Sequence, residues 1–311
     1  MSPDTYVPAA QPYVRPRPKP GSYDPAHTTA GGLHGELARL EAQAALSFDE
    51  ELDALRSLGV LRPDARVLVE LGAGSGAVTQ RLRAAYPGLR VEAVDHDPAL
   101  AAHIPRDAKT AVTISDATRV PLPDRSADAV LLRYVLQHVP DPAPVLAEAL
   151  RLLRPGGRIA VTEVDAGCWG MADPIYPELA YLHAALGEAQ RRAGGDRDIG
   201  RRLTRMLRAA GFADVAMRPF AATTDRHPVE AFAAHLGPQR LEPLVASGVL
   251  TLRDVALAAD RWNRFRADPD AWVMLLGFTA AGTAPDPSRD PSENTVNTLP
   301  DIPPTKGPDA P

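Results

Sequence analysis

The chain has 311 residues, and its 34 Lys and Arg against 39 Asp and Glu give a formal net charge of -5. This acidic balance, without a basic stripe interleaved with aromatic residues, argues against nucleic acid as a partner. The lone cysteine, Cys168, excludes an internal disulfide and a cysteine metal site.

Neither end of the chain has the composition of a folded core. Residues 1–32 are rich in proline and lack an apolar period, so we expect a flexible N-terminal arm. Residues 283–311 are mostly polar or proline, and ordering them would bring no compensating burial, so we expect a disordered tail. One folded domain, residues 33–282, is left between them. No stretch is apolar enough for a signal core or a membrane span, which favours a cytoplasmic protein that does not bind membranes.

Short apolar runs, most of them rich in β-branched residues, predict the strands of a sheet. Longer helical patterns separate the first five runs, which is typical of parallel strands joined by crossover helices. The pattern predicts an α/β fold with a doubly wound, Rossmann-like sheet that is mostly parallel. The predicted strands are 66–71, 90–95, 111–116, 128–133, 158–165, 214–221 and 271–282.

Helical stretches interrupt this alternation after the fifth strand. They cover about residues 170–195 and 228–266, beyond strand ends where ligands of open sheets bind, so we expect a helical lid over a substrate pocket. Residues 33–60 also have helical spacing and are expected to pack on the sheet or cap the site. A set of arginines at helical spacing is predicted to form a solvated helix face: Arg191, Arg192, Arg197, Arg201, Arg202, Arg205 and Arg208.

The turn after the first strand, "VELGAGSGAV", contains Gly72, Gly74 and Gly76. A phosphate-binding P-loop needs a Lys followed by Ser or Thr, and Ala-Val follows Gly76 instead. A dinucleotide fingerprint is formally matched by Gly72, Gly74 and Ala77. Glu70, however, would repel a pyrophosphate at this turn and attract an α-ammonium group.

An acidic residue followed by G-x-G-x-G resembles the first motif of the class I S-adenosylmethionine-dependent methyltransferases. The resemblance covers about residues 33–282 in element order and 67–165 in motif detail. It implies S-adenosyl-L-methionine as cofactor and a seven-stranded sheet whose last strand is antiparallel. Close helix–strand packing is the alternative reason for the glycines. The resemblance assigns cofactor contacts in this turn to Glu70, Gly72, Ala73, Gly74 and Gly76.

The resemblance also implies cofactor contacts at the ends of the next three strands. Asp95 would accept hydrogen bonds from the two ribose hydroxyls, although an acidic residue there can equally cap a helix. Asp116 and the Ala117 backbone would read adenine, which could lie against His96. The segment with Arg133 and Tyr134 would pass beneath the methionine moiety, and Arg133 could alternatively pair with Glu70.

Methyl transfer is an in-line displacement that depends on alignment in a dry site. His138 is the first candidate for a base, because an imidazole can remove a phenol or enol proton near neutrality; ordering its own loop is the alternative. Glu163 and Asp165 fall on one side of their strand and are expected to face one cleft. No set of metal ligands is identified. Tyr23 is expected either to fold over the cofactor or to be solvated.

These features predict a methyltransferase for a small molecule, similar to the quinone and natural-product branch of the family. Oxygen is the favoured acceptor atom because of His138, and carbon and nitrogen stay open, as does a homodimer. The high Ala, Arg and Pro content suggests secondary metabolism. The alternatives are a methyltransferase-fold protein that regulates or catalyses another reaction, an NAD(P)-dependent oxidoreductase, and an RNA methyltransferase, which the acidic charge disfavours.

Overall fold

A mixed β-sheet lies at the centre of the computed structural model, which describes residues 23–29, 31–168, 170–286 and 288. Its strands are β1 (Val67–Leu71), β2 (Arg90–Asp95), β3 (Thr110–Ile114), β4 (Ala127–Arg133), β5 (Leu153–Val164), β6 (Met171–Asp173), β7 (Ala213–Thr223) and β8 (Trp272–Thr283). The α-helices are α1 (Gly32–Ser57), α2 (Ala77–Ala85), α3 (Pro98–Ala101), α4 (Ala143–Leu152), α5 (Pro177–Arg192), α6 (Leu203–Ala209), α7 (Ala233–Leu236), α8 (Glu242–Ala246) and α9 (Leu252–Ala267).

Strands β3, β2, β1, β4 and β5 are parallel and adjacent in that order, and β8 pairs antiparallel with both β5 and β7. Because helices cover both faces of the parallel part, most positions of its inner strands β1, β2 and β4 are apolar and buried. One face packs against α4 and α6, and the opposite face packs against α1 and α2. The predicted α/β class, the doubly wound sheet and the antiparallel last strand are confirmed.

Over the described residues the sheet has eight strands, one more than the seven expected. Strand β6 lies inside the first predicted insertion, and its three residues are too few to show a periodic pattern. Met274 of β8 pairs with Met171 on one edge and with Thr223 of β7 on the other. Strand β6 therefore extends the edge that β5 forms along β8.

The two insertions pack together as one helical layer. Helix α5 contacts α9, and a shared apolar cluster holds the two insertions together. The second insertion consists of 3-10 turns Val229–Phe232 and Pro238–Arg240 and helices α7 to α9. The buried members of the cluster are Leu182, Leu241, Leu244, Leu250 and Ala258.

The predicted N-terminal arm is in part packed against the domain. Residues 23–29 precede α1 as a turn-rich segment, and Tyr23 reaches the interior of the domain. Residues 1–22 of the arm and nearly all of the predicted tail, 289–311, lie outside the described residues. In the part of the chain that the structure describes, no helix combines the length and apolar character needed to cross a membrane.

Candidate active site

A cleft of about 1580 Å³ opens where the parallel strands end, between the sheet and the helical layer. Typical small-molecule pockets hold about 300 to 1,000 Å³, so this cleft has room for two small ligands side by side. Residues at the ends of four adjacent strands line it, as the position of ligand sites in open α/β sheets predicts. They are Glu70, Gly72, Asp95, Asp116 and Arg133.

Asp95 joins the glycine turn to the turn after β2. Its Oδ2 accepts a hydrogen bond from the Gly74 amide at 2.7 Å, and its Oδ1 accepts one from the Asp97 amide at 2.8 Å. The Gly72 amide donates to the Val94 carbonyl at 2.8 Å, which closes the same turn. Gly72 and Gly74 have φ of +76° and +59°, a backbone region that favours glycine.

The glycines of the turn differ in what they contact. A Cβ on Gly72 would lie 2.4 Å from Val135 Cγ2, so the loop after β4 packs directly on this residue. Ala73 and Gly74 line the cleft. Gly76 does not: it precedes α2 as its N-cap, and a Cβ there would lie 3.0 Å from Ile104 Cγ2. Gly76 is thus packed as the alternative reason for the glycines expects, and it does not line the cleft.

Glu70 is buried at the floor of the cleft, and its Oε2 accepts a hydrogen bond from Thr79 Oγ1 at 2.5 Å. Burial raises the pKa of this carboxyl to about 7. The alternative pairing of Glu70 with Arg133 is wrong. Arg133 donates instead to both carboxylate oxygens of Glu51, at 2.7 and 2.8 Å, and its guanidinium lies 4.4 Å from the centre of the Tyr134 ring.

The predicted adenine-reading residues His96, Asp116 and Ala117 line one end of the cleft. Asp116 Oδ1 accepts hydrogen bonds from the amide and the hydroxyl of Thr118, at 2.8 and 2.7 Å. His96 is half exposed, with Nδ1 3.6 Å from Asp95 Oδ1. The structure thus brings every predicted cofactor residue except Gly76 to one cleft.

His138 ends the 3-10 turn Leu136–His138 after β4 and lies on the cleft wall. Its Nδ1 is 3.3 Å from Gln190 Nε2, which also donates to the Gln137 carbonyl at 2.8 Å. Gln190 Oε1 in turn accepts from Arg197 at 3.4 Å, so the amide nitrogen faces His138. Because an amide nitrogen only donates, Nδ1 accepts and the neutral ring carries its proton on Nε2.

The expectation that His138 titrates near neutrality is wrong. Burial, followed by the charges of Arg197 and Arg39, lowers the pKa of His138 to about 3. Both effects oppose an imidazolium. The ring of Tyr23 lies with its centre 5.2 Å from that of His138, and the Tyr23 hydroxyl donates to Glu36 Oε1. A neutral ring whose Nδ1 accepts from Gln190 suits a hydrogen-bond donor at Nε2 better than a general base.

Glu163 and Asp165 do not share the cleft, contrary to the prediction. Glu163 Oε1 accepts from the Leu136 amide at 2.6 Å and the Gln137 amide at 3.3 Å, and burial raises the pKa of its carboxyl to about 8. Asp165 is fully buried against Arg201, whose Nε donates to it at 2.6 Å. Among the described residues, no group of three or more His, Cys, Asp or Glu is placed to hold a metal ion.

Several basic residues in the cleft were missed by sequence reasoning. Arg197 was assigned to a solvated helix face, but α5 ends at Arg192 and Gly194 and Gly195 turn the chain inward. A helix stop at these glycines was the available signal. Sequence distance hid the others, because the cleft wall gathers side chains from α1 and the second insertion: Arg39, His235 and Arg240.

Comparison with known proteins decides the family. A family model described as a methyltransferase domain matches residues 69–161, which run from β1 to β5. Residues 69–161 therefore belong to the class I S-adenosylmethionine-dependent methyltransferases. S-adenosylmethionine is the cofactor of this methyltransferase.

Two relatives and one solved structure show how far the similarity extends. An uncharacterised 37.1 kDa protein in transposon TN4556 of Streptomyces fradiae is 32% identical, over 84% of this chain and 77% of its own. A trans-aconitate 2-methyltransferase of Methylobacterium radiotolerans is 34% identical over 51% of this chain, which spans 59% of that enzyme's length. The structure of a candidate type II methyltransferase from Anaeromyxobacter dehalogenans has a TM-score of 0.51 at 21% identity, over 74% of this chain and 95% of that one, a likeness in fold.

The protonation of His138 can be measured directly. In a long-range 1H–15N spectrum of the methyltransferase, we expect His138 to stay neutral, with its proton on Nε2, from pH 5.5 to 8. The Gln190→Leu variant removes the donor to Nδ1 and should let both tautomers appear. An imidazolium signal for His138 with a midpoint near pH 6.5 would contradict the assignment.

The buried carboxyl of Glu163 should make stability depend on pH. The pKa of Glu163 is raised to about 8 in the folded state. The protonated carboxyl therefore contributes its full stabilisation of the fold below the unfolded-state pKa, and this contribution is lost as pH rises from about 4.5 to 8. Glu163→Gln keeps the acceptor for both amides and cannot ionise. We therefore expect the melting temperature of this variant, relative to the wild type, to rise between pH 5.5 and 8.5.

Glu148→Gln is the matched control for Glu163→Gln in thermal melts. Arg151 lowers the pKa of Glu148, which is therefore ionised in both states throughout this range. Its difference from the wild type should be constant with pH. A constant difference for Glu163→Gln as well would refute the raised pKa.

Proposed function

We propose that this methyltransferase transfers a methyl group from S-adenosyl-L-methionine to a small-molecule acceptor, and that both molecules bind in the cleft. The observation that carries the proposal is the pair of buried carboxylates, Glu70 and Asp95, at the ends of neighbouring strands in one cleft. The cofactor is a nucleoside with an α-ammonium group at its other end, so two separate carboxylates suit its two polar parts.

Asp95 is suited to the ribose hydroxyls. Each of its oxygens uses one lone pair for a backbone amide, of Gly74 or Asp97, and keeps another for a ribose hydroxyl. The amides also fix the direction of the carboxylate before any ligand binds, which reduces the entropy lost on binding. Ribose binding and turn closure therefore depend on the same side chain.

Glu70 is suited to the α-ammonium group. Its Oε2 is occupied by Thr79, which leaves Oε1 for a ligand at the cleft floor. With a pKa of about 7, Glu70 is partly protonated in the free protein at neutral pH, and an approaching ammonium group favours its ionised form. The neighbouring turn residues Gly72, Ala73 and Gly74 would line the methionine moiety.

The remaining predicted contact residues are proposed to bind the adenine and the methionine moiety at the two ends of the cofactor. Asp116, Ala117 and His96 lie together at one end of the cleft and are proposed to hold adenine. Arg133 and Tyr134 lie after β4, and the Glu51 pair fixes Arg133 so that it shapes the cleft wall beside the methionine moiety. Gly76 is left out of the contact set, because it packs against Ile104.

The chemistry in this proposal rests on positioning. The bound cofactor supplies an electrophilic methyl group, and the cleft aligns an acceptor lone pair with it in a site from which water is excluded. His138 donates a hydrogen bond from Nε2 to the methyl acceptor and so orients it. Gln190 fixes the orientation of the His138 ring through Nδ1. A base role for His138 was the reason to favour oxygen acceptors such as phenols, and its low pKa removes that reason.

The acceptor atom is therefore proposed to have a free lone pair without first losing a proton to His138. An ionised oxygen acid meets this condition at neutral pH, and so does a weakly basic amine that is unprotonated there, so both oxygen and nitrogen acceptors fit. The relative that acts on trans-aconitate, by its name, supports a small molecule. The Ala, Arg and Pro content supports a role in secondary metabolism.

Equilibrium binding tests the proposed function. Isothermal titration of the full chain with S-adenosylhomocysteine should show micromolar-range affinity, and titration with NAD+ or NADH should give no heat. Binding of the nicotinamide nucleotide without the nucleoside product would reverse the assignment and favour an oxidoreductase.

Replacing Asp95 by Ala should weaken S-adenosylhomocysteine binding by about 1.5 to 3 kcal/mol, the scale of hydrogen bonds to a charged group. It should also lower the melting temperature, because the amides of Gly74 and Asp97 lose their acceptor. Titration calorimetry and thermal unfolding measure the two effects separately.

Asp97→Ala is the control for this change. Asp97 caps α3 through the amides of Ala99 and Leu100, so its loss should cost about 1 kcal/mol of stability and leave cofactor affinity within about twofold. If both variants bind the product equally well, Asp95 does not hold the ribose.

A further inference from the structure

Cationic side chains gather on the wall of the cleft away from Glu70 and Asp95. Arg39 comes from α1, Arg197 from the loop after α5, and Arg240 from the 3-10 turn Pro238–Arg240 of the second insertion. The three lie close enough for the charges of Arg39 and Arg197 to lower the pKa of Arg240. Residues far apart in the sequence therefore build one positively charged region.

Among the residues that the structure describes, Arg39 is the one arginine of these three that forms an ion pair with an acidic side chain. Its Nε donates to Glu36 Oε2 at 2.8 Å and its Nη2 to Glu36 Oε1 at 2.5 Å. Within the described ranges of the chain, Arg197 bonds through its side chain to Gln190 alone, and the Arg240 side chain makes no hydrogen bond or ion pair.

More distant acids do not neutralise the two free guanidinium groups. Glu163 and Asp198 favour the charged form of Arg197, and Glu36, already bound to Arg39, favours that of Arg240. For both arginines, burial comes first among the effects that lower the pKa. Arginine nevertheless stays charged in proteins, so both charges are held in the cleft at a cost in stability.

A bound oxyanion would offset this cost. A guanidinium forms charge-assisted, often bidentate hydrogen bonds to carboxylates and phosphates, and these are among the stronger hydrogen bonds in proteins. His138 also lines the cleft, and Gln190 links its Nδ1 to Arg197. The arrangement suits a ligand group with several acceptor oxygens.

We propose that Arg197 and Arg240 bind an anionic group of the methyl acceptor, either a carboxylate or a phosphate. This inference rests on the proposed function, because it places the acceptor beside the cofactor in the same cleft. The rest of the acceptor faces apolar side chains that α5 and the loop after α8 contribute to the cleft: Leu179, Leu186, Val249 and Leu250. The acceptor is therefore an acid with an apolar portion rather than a neutral phenol.

The test uses the full chain saturated with S-adenosylhomocysteine, so that the carboxylate of the cofactor product already occupies its own site. Citrate and inorganic phosphate are titrated at constant ionic strength, with sodium chloride as the reference anion, and binding is followed by calorimetry and thermal shift. The variants are Arg197→Met and Arg240→Met. Arg264→Met is the matched control, since Arg264 pairs with Asp260 on an exposed part of α9.

We expect the wild type and Arg264→Met to bind citrate or phosphate with equal affinity. Each cleft variant should bind at least about tenfold more weakly, as the loss of a charged hydrogen bond implies, while its affinity for S-adenosylhomocysteine stays within about threefold of the wild type. Binding of citrate alone identifies a carboxylate site, and binding of phosphate alone identifies a phosphate site.

Two results would overturn the proposal. Equal anion affinity in all four proteins would show that the arginines bind no oxyanion. Loss of S-adenosylhomocysteine binding in the cleft variants would assign Arg197 and Arg240 to the carboxylate of the cofactor instead. If the wild type itself does not bind S-adenosylhomocysteine, the proposed function fails, and the same anion titration without it still decides whether the arginines form an anion site.

The melting temperatures of the ligand-free proteins show whether a variant that loses anion binding has also lost stability. Each substitution removes a free cation from a desolvated position, so the ligand-free variants should melt at the same temperature as the wild type or higher. A melting temperature several degrees lower for Arg240→Met would show that this side chain supports the fold, and would contradict a role reserved for the ligand.

Discussion

The carboxylate of Asp95 ties together the two turns that form the floor of the cleft. A parallel sheet ends in loops whose backbone amides have no partner in the sheet, and each must find an acceptor or contact water. Asp95 accepts from one amide on each side, in the turn after β1 and in the turn after β2. Burial raises the pKa of Asp95, and the two amides oppose that effect. The two amides fix the orientation of the Asp95 carboxylate, and the carboxylate in turn fixes the two turns. The geometry of the cleft floor depends on both.

Much of the fold could be predicted from the sequence, because its parallel strands are buried on both faces. Burial of both faces requires continuous apolar runs, and such runs are visible without knowledge of the partners. Strand β6 could not be predicted, because its three residues form a strand only where β8 extends past the end of β5. The glycine turn was predicted as a unit from its sequence motif. The packing of Gly76 could not be predicted, because it depends on contact with Ile104, which lies in the connection between α3 and β3.

The charged part of the site was predicted less well than the glycine turn. Periodicity alone assigned Arg197 to a helix face, although the helix had already ended, and His138 was given the pKa of an exposed imidazole. A pKa depends on which charges the fold brings close, and Arg39 and Arg197 reach His138 from segments about 60 to 100 residues away along the chain. Motifs of neighbouring residues can be recognised in a sequence, whereas an electrostatic environment of this kind needs the three-dimensional structure.

Strand β8 is made after every other strand of the sheet, yet it lies between β5 and β7 and pairs with both. During synthesis, the edges of β5 and β7 that β8 later covers have no strand partner until residues 272–283 have left the ribosome. Exposed edges of this kind recruit strands from other chains. Termination before Trp272 would leave the β5 edge and one edge of β7 without a partner, which favours association between chains.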